Sequence, residues 1–470
     1  MSQNSFLVFG FVQKLLFLQT DITLKLMFYR NIITKLREWN NRETRKPLII
    51  RGARQVGKTT IVSLFAEEFD CFLSLNLEKP SDVELFEKGT SPDEILTAIY
   101  LLKGMTKQKG KVLLFIDEIQ NSPKSVAMLR YFYEDMPELR VIAAGSLLET
   151  MIDTHISFPV GRVEYIALRP CSFNEFLSAM GENTLKDSLN TATLPSLVHN
   201  KVMKLFNEYV LIGGMPEAVA TYAKNKDLVE VQRVYETLLN GYRDDSEKYA
   251  RDETSKRVLR HILLYGWLQA GQRIKFERFA NSNYKSREVS EAMRTLEKAL
   301  VLELSYPTTQ ATAPVQPQLQ KSPKLLWLDT GLVNYTANLQ IELFGSKDIS
   351  ESWKGKIAEH IVGQEILAAS GLVSTKRNFW VREARNSQAE VDFIYNHKGT
   401  IVPIEVKSGD NSKLKSLHLF MEESPNNIAI RFWNNPVTKD IITLPSGKQY
   451  TLYNLPFYYA GNIDTVLQVY

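Results

Sequence analysis

Cysteine is nearly absent from these 470 residues: there are two, Cys71 and Cys171. Two thiols cannot build a disulfide framework, and their separation lacks metal-ligand spacing. That usage suits a reducing cytoplasm, which is the expected location. Histidine is also scarce, with six scattered residues and no H-x-x-x-H pair. A histidine metal centre or a Ser-His-Asp triad therefore has no local support. Charge of one sign is missing too. A net charge of +4 permits contact with nucleic acid but does not argue for it. Long apolar runs are lacking. The stretch from Phe6 to Val12 is broken by Gln13 and Lys14 before Leu15 to Leu18. It is too short for a bilayer span, and no basic segment precedes it as in a signal peptide. No membrane contact is expected. Met27 is expected to be the natural start, with residues 1–26 an upstream extension.

What is present is an ordinary globular composition on a chain long enough for several domains. The segment from Gly52 to Thr59 reads Gly-Ala-Arg-Gln-Val-Gly-Lys-Thr, which is the pattern G-x-x-x-x-G-K-[ST]. A short apolar strand, 47–51, enters it and a helical pattern, 59–69, leaves it, the context that the motif requires. Glycines let the backbone approach a phosphate closely, and successive N–H groups converge on it at a helix N-terminus. Gly52, Ala53, Arg54, Gln55, Val56, Gly57, Lys58, Thr59 and Thr60 are the expected ATP-binding residues. Lys58 is expected to reach the β- and γ-phosphates, and Thr59 to place its hydroxyl on Mg²⁺.

The run Val112 to Ile116 ends in Asp117 and Glu118. It reads as a strand buried on both faces, with its carboxylates at the ligand edge of a parallel sheet. Asp117 fits Mg²⁺ positioning and Glu118 fits polarisation of the attacking water. Strand and helix patterns alternate over 47–51, 59–69, 71–77, 92–103, 111–116, 123–133 and 139–144, which predicts βαβ units. Ser146, after the strand ending at Ala144, reads either as a γ-phosphate contact or as turn chemistry. Arg162 reads either as an arginine finger, in cis or from a neighbouring subunit, or as a surface ion pair.

Residues 171–240 are expected to be a helical lid, broken and restarted at Gly213-Gly214-Met215-Pro216. Residues 254–305 suggest a winged helix with Lys285, Arg287 and Arg294 near its third helix. Glu288, Glu291 and Glu297 dilute that charge and favour a packing role. Residues 306–323, rich in Pro, Thr and Gln, read as a linker.

A second constellation follows. Glu390 and Asp392 alternate in one predicted strand, and Glu405 and Lys407 in the next, with the turn at Lys398-Gly399. That register sets Asp392 opposite Glu405 and Glu390 opposite Lys407, all on one face. Glu359, in a predicted helix 355–367, is a further carboxylate. Asp392, Glu405 and Glu359 suit Mg²⁺, and Lys407 suits charge neutralisation in phosphodiester cleavage. A salt-bridge ladder on a solvated face is the competing reading.

In order, these motifs resemble AAA+ ATPases that carry a C-terminal restriction-endonuclease-like domain of unknown function. Gly52–Thr59, Leu113–Glu118 and Gly145-Ser146 look like the Walker A, Walker B and sensor-1 elements. Glu390–Lys407 looks like a P-D-(D/E)-x-K segment in which Val391 stands at the proline. No lid arginine matches sensor 2. The resemblance implies an α/β chain: a P-loop AAA+ parallel sheet (28–170), a helical lid (171–240), a winged helix (241–322) and a C-terminal α/β restriction-endonuclease-like domain (323–470), after an N-terminal extension (1–27). It implies an Mg²⁺-dependent ATPase, with DNA a candidate partner and a homo-oligomer a candidate assembly.

Overall fold

Apolar runs in this chain are placed where a sheet is covered on both faces. The computed structural model describes residues 28–107, 110–146, 159–338, 355–383, 389–407 and 414–470. The expected extension, 1–27, lies outside them. Strands β1 (Leu48–Arg51), β2 (Cys71–Asn76), β3 (Val112–Asp117), β4 (Arg140–Gly145) and β5 (Glu164–Ala167) form a parallel sheet in the order β2-β3-β4-β1-β5. Alternate residues feed two cores. Leu113, Phe115, Ile142 and Ala144 pack into one, and Leu114, Ile116, Val141 and Ala143 into the other. The helices Lys58–Phe65, Pro92–Leu102 and Pro123–Asp135 follow the expected alternation. A further helix, Pro80–Lys88, is one that the spacing does not predict.

Because the strands are parallel, β1, β3 and β4 all end on one edge of the sheet. Asp117 closes β3, and Ser146 follows β4, which lies between β3 and β1. Beyond the sheet come five helices, from Phe173–Ala179 to Leu228–Tyr249. Gly213 (φ 72°) stops the helix His199–Ile212, and Pro216 begins the next, where its missing N–H costs nothing.

The helices Glu253–Tyr265 and Ser286–Lys298 precede β6 (Leu302–Ser305). The chain then crosses between layers. Strand β7 (Pro307–Thr308) pairs with β9 (Asn378–Val381), while β8 (Lys324–Trp327) returns to pair antiparallel with β6. The expected linker, 306–323, therefore contains a strand of the last sheet. The expected boundary at 322/323 falls between strands that pair across it. The last sheet adds β10 (Glu390–His397), β11 (Thr400–Val406), β12 (Ile428–Trp433), β13 (Thr438–Thr443) and β14 (Gln449–Pro456), in the order β13-β14-β12-β11-β10-β9-β7. Lys398 (φ 50°) and Gly399 (φ 86°) make the tight β10–β11 turn, as mirror-image hairpin turns require. Among the described residues, no helix is long and apolar enough to cross a membrane.

The helical segment from Phe173 to Tyr249, expected to contain the lid, a middle layer made of Glu253–Tyr265, Ser286–Lys298, β6 and β8, and the last domain meet at a buried polar junction. Asp329 is fully buried. It accepts from the Leu332 amide (3.0 Å), capping the helix Thr330–Thr336, and from the Gly214 amide. Glu365, in the helix Lys356–Ala369, accepts from the Tyr209 hydroxyl (2.6 Å) and the Phe173 amide (3.0 Å). Gln364 accepts from the Thr330 amide (2.8 Å) and donates to the Tyr209 oxygen (3.1 Å). Gly213 has no room for a side chain, since a Cβ would lie 2.5 Å from Asp329 Oδ1.

Burial pushes Asp329 up to about 6 and Glu365 up to about 7, against the hydrogen bonds that favour their charged forms. The folded chain thus keeps protons that the unfolded chain releases. Stability from these groups is fully present below the unfolded carboxylate range and is lost as pH rises through the folded values. Thermal melts should fall between about pH 4 and about pH 7. Glu365→Gln keeps the oxygen that accepts both bonds, and should flatten that fall by a few degrees. An unaltered pH profile in that variant would refute the assignment.

Candidate active sites

The first site is built where β1 runs into the helix Lys58–Phe65. Gln55 (φ 63°) and Gly57 (φ 92°) both adopt left-handed backbone, which wraps the loop around its own amides. Gly52 is required by space: a Cβ there would stand 2.5 Å from the Leu168 carbonyl oxygen. Lys58 is buried, and its ammonium folds back on the loop, donating to the carbonyls of Gly52 (3.1 Å) and Ala53 (2.9 Å). Burial lowers its pKa, while Glu118 and Asp117 oppose that shift. The Thr59 hydroxyl donates to Asp117 Oδ2 at 2.6 Å, so the two expected Mg²⁺ ligands already touch. Asp117 Oδ1 accepts from the Glu118 amide (3.0 Å). Glu118 itself takes left-handed backbone (φ 51°), and its carboxylate accepts from the Gln120 side-chain Nε2. Ala53 and Val56 are buried under the loop, and Thr60 lies in the first turn of the helix.

Neighbours that sequence reasoning missed hold this loop from outside. Arg30 is buried, and its guanidinium donates to the carbonyls of Val56 (3.3 Å) and Arg169 (2.7 Å) and pairs with Glu175 (3.0 Å). Its only sequence signal is its place in a helical pattern ahead of β1. On the other side Arg54 pairs with Asp245, and the Tyr242 hydroxyl donates to the Arg54 carbonyl (2.9 Å). Both partners come from the long helix Leu228–Tyr249, which runs through the expected boundary at 240/241, so the loop is bonded directly to that helix.

Ser146 is buried at the same edge, between Asp117 and the loop. Arg162 is placed differently. It precedes β5, whose first residue, Glu164, pairs with Leu48 at the start of β1. Four residues of strand, about 13 Å, separate that edge from the loop. Arg162 instead pairs with Glu134 (3.0 Å) on the surface of its own chain. The expected finger in cis is thus not formed.

The second site lies on β10 and β11. Phe393 pairs with Ile404, the register that sets Asp392 opposite Glu405 as expected. The solvated-ladder reading does not fit, because the Glu405 side chain is only 5% exposed and Asp392 16%. Asp392 Oδ2 accepts from the Val406 amide (2.7 Å). Lys407 pairs with Glu405 (2.6 Å) rather than with Glu390. Glu390 pairs with a residue that sequence reasoning left out of the site, Lys324 of β8, at 2.7 Å. The same ammonium lies 2.6 Å from Glu359 and 3.9 Å from Asp392. A register irregularity in β10 between Val391 and Ile394, beside Asp392, bends the strand locally.

Burial raises the pKa of Glu359, Asp392 and Glu405; Lys324 opposes this in each, and Lys407 does so at Asp392 and Glu405. Burial alone would lower Lys324, but Glu359, Asp392 and Glu390 hold it above the usual lysine range. Glu405 Oε2 is buried without a hydrogen-bond partner. Among the described residues, no three His, Cys, Asp or Glu side chains are arranged to hold a metal ion. On the helix Ser286–Lys298, Arg287 is paired with Glu291 (2.8 Å), which offsets the expected basic face.

Residues 44–177 match the family model of an AAA domain, and the parallel sheet with its P-loop is the fold that such a domain takes. Residues 203–342 and 354–456 match two domains of unknown function, DUF8612 and DUF4143. Solved structures with similarity include the Walker-type ATPase of Pyrococcus abyssi, at 15% identity and TM-score 0.43, covering 66% of this chain and 96% of that one. RuvB of Thermotoga maritima is similar at 16% identity and TM-score 0.28, covering 59% and 90%. A signal transduction ATPase with numerous domains from Pyrococcus horikoshii is similar at 12% and 0.27, covering 73% and 46%. No curated protein matches the chain.

Gly52→Ala tests the packing of the loop. The new methyl must displace backbone, so the melting temperature should drop by several degrees, at a cost of about 1–3 kcal/mol. A melt unchanged from wild type would show that the loop has room to spare.

Proposed function

We propose that this chain binds and hydrolyses ATP with Mg²⁺, and that nucleotide state governs a nuclease-like site in its last domain. The observation that carries the ATPase reading is the Thr59–Asp117 bond beside Lys58. A hydroxyl and a carboxylate at that spacing are the hard oxygen donors that Mg²⁺ takes, the rest of its shell being water. Mg²⁺ held there would neutralise charge on the β- and γ-phosphates. Lys58 exchanges two loop carbonyls for phosphate oxygens, and the loop amides orient them. Glu118 accepts the proton of the attacking water, and Ser146 contacts the transferred group. Arg54 carries changes in the loop to the helix Leu228–Tyr249 through Asp245, and that helix continues back into the expected lid. An arginine finger from Arg162 would have to serve the site of a neighbouring copy, which makes a homo-oligomer part of this reading.

In the last domain, Asp392 and Glu405 are the residues that fit Mg²⁺. The buried, unpartnered Glu405 Oε2 supports that fit, as it lacks the donor that a buried oxygen needs. Lys407 then orients a nucleophile or offsets charge at a scissile phosphodiester of DNA. The second reading is a switch that binds DNA or protein through a nuclease fold that does not cut. It is favoured by Lys324, which already neutralises the carboxylates.

Lys58→Ala should abolish ATP binding in a calorimetric titration, and Glu118→Gln should keep binding while losing at least tenfold in hydrolysis. Undiminished affinity in Lys58→Ala would refute the nucleotide site. Incubation with Mg²⁺, ATP and single-stranded, duplex and branched DNA should give cutting that disappears in Asp392→Ala and Lys407→Ala. ATP hydrolysis without cutting in any combination would leave the switch reading in place.

A further inference from the structure

One of the two cations in the second site, Lys324, does not belong to the sheet that holds the carboxylates; the other, Lys407, follows β11 and pairs with Glu405. Lys324 opens β8, which pairs with β6, whereas Glu390 and Asp392 lie on β10 of the seven-stranded sheet and Glu359 on a helix against it. Its side chain is 4% exposed, with the ammonium between Glu359 and Glu390 and over the Phe379 ring (4.7 Å). Opposite Asp392, Glu405 Oε2 is buried and lacks a donor. The cluster therefore holds a cation supplied by another layer, and one oxygen aimed at nothing.

We infer that Lys324 is a resident cation that exchanges with a divalent metal ion in the carboxylate cluster, its ammonium leaving as the ion enters. This rests on the reading of Asp392 and Glu405 as metal ligands. A divalent ion added to the Lys324 and Lys407 ammoniums would put three cations within a few ångströms of one another, in surroundings that screen them poorly. Removing the ammonium alone would strand buried carboxylates, which is strongly unfavourable. Lys324 and the divalent ion are thus alternatives, and carboxylates left by the ammonium take up either the metal ion or protons.

The strand that carries the lysine also has a handle. Five residues on, Asp329 accepts from the Gly214 amide, and Gly214 is the turn of the lid. The helix Leu228–Tyr249, which continues out of the expected lid, in turn holds Arg54 of the P-loop through Asp245. A shift of the lid turn pulls on β8 about 16 Å from the ammonium, a distance set by strand rise.

The test is Mn²⁺ binding to the full chain without nucleotide, read by electron paramagnetic resonance. The share belonging to the cluster is that lost in Asp392→Asn/Glu405→Gln. Lys324→Met and Lys324→Gln, each checked for fold by circular dichroism, should raise the Mn²⁺ affinity of the cluster at least tenfold over wild type. Equal cluster affinity in wild type and in whichever of the two variants folds would overturn the exchange while leaving the metal site standing. Absence of any Mn²⁺ lost in Asp392→Asn/Glu405→Gln, in every background, would overturn both. Failure of both lysine variants to fold unless Mn²⁺ is supplied would support the exchange, since the ion then replaces the ammonium. Failure to fold even with Mn²⁺ would overturn it.

Discussion

A carboxylate without access to water holds the three layers of this chain together. Asp329 has to find donors inside the protein, because burying an unbonded carboxylate would cost several kcal/mol. It takes one from the lid turn and one from the helix that it caps. Gly214 supplies the first only because the Gly-Gly turn brings bare backbone against the carboxylate, at a point where a Cβ on Gly213 would collide with Asp329. Gln364 and Glu365 extend the junction to the last domain through Tyr209. The layers are therefore bonded through directional contacts that tolerate little sliding, and motion in one has to be answered in the others.

The two candidate sites share a construction. In each, a lysine is buried against oxygens that it would leave when a ligand arrives. Lys58 lies on loop carbonyls, and Lys324 lies on carboxylates. The difference lies in what remains behind. Carbonyls vacated by Lys58 are neutral, whereas carboxylates vacated by Lys324 are charged and need a replacement. On the proposed reading, the first site would be left neutral, and the second would need a metal ion or protons in place of the ammonium.

Much of the first site was legible in the sequence because its residues are local. Gly52–Thr59 and Val112–Glu118 are contiguous, and the apolar strands beneath them are buried on both faces. The β10–β11 register was legible too, because a two-residue turn at Lys398-Gly399 leaves a single pairing. What escaped depends on distance along the chain. Arg30, Asp245 and Lys324 each act on residues more than twenty positions away, and nothing next to them marks the partner. Lys324 at the head of an apolar strand reads as a strand end, and only the fold turns it inward. The crossing of the chain at 306–328 was hidden for the same reason, since a two-residue strand such as Pro307-Thr308 has no periodicity to detect.

That crossing bears on how such a protein is inherited. Strand β7 is embedded in the last sheet, and β8, further along the chain, is embedded in the layer before it. No single cut separates the two layers without stripping a strand from one of them. Recombination that moves one intact unit at a time has no seam here to use. Excising either layer alone would therefore leave the other short of a strand.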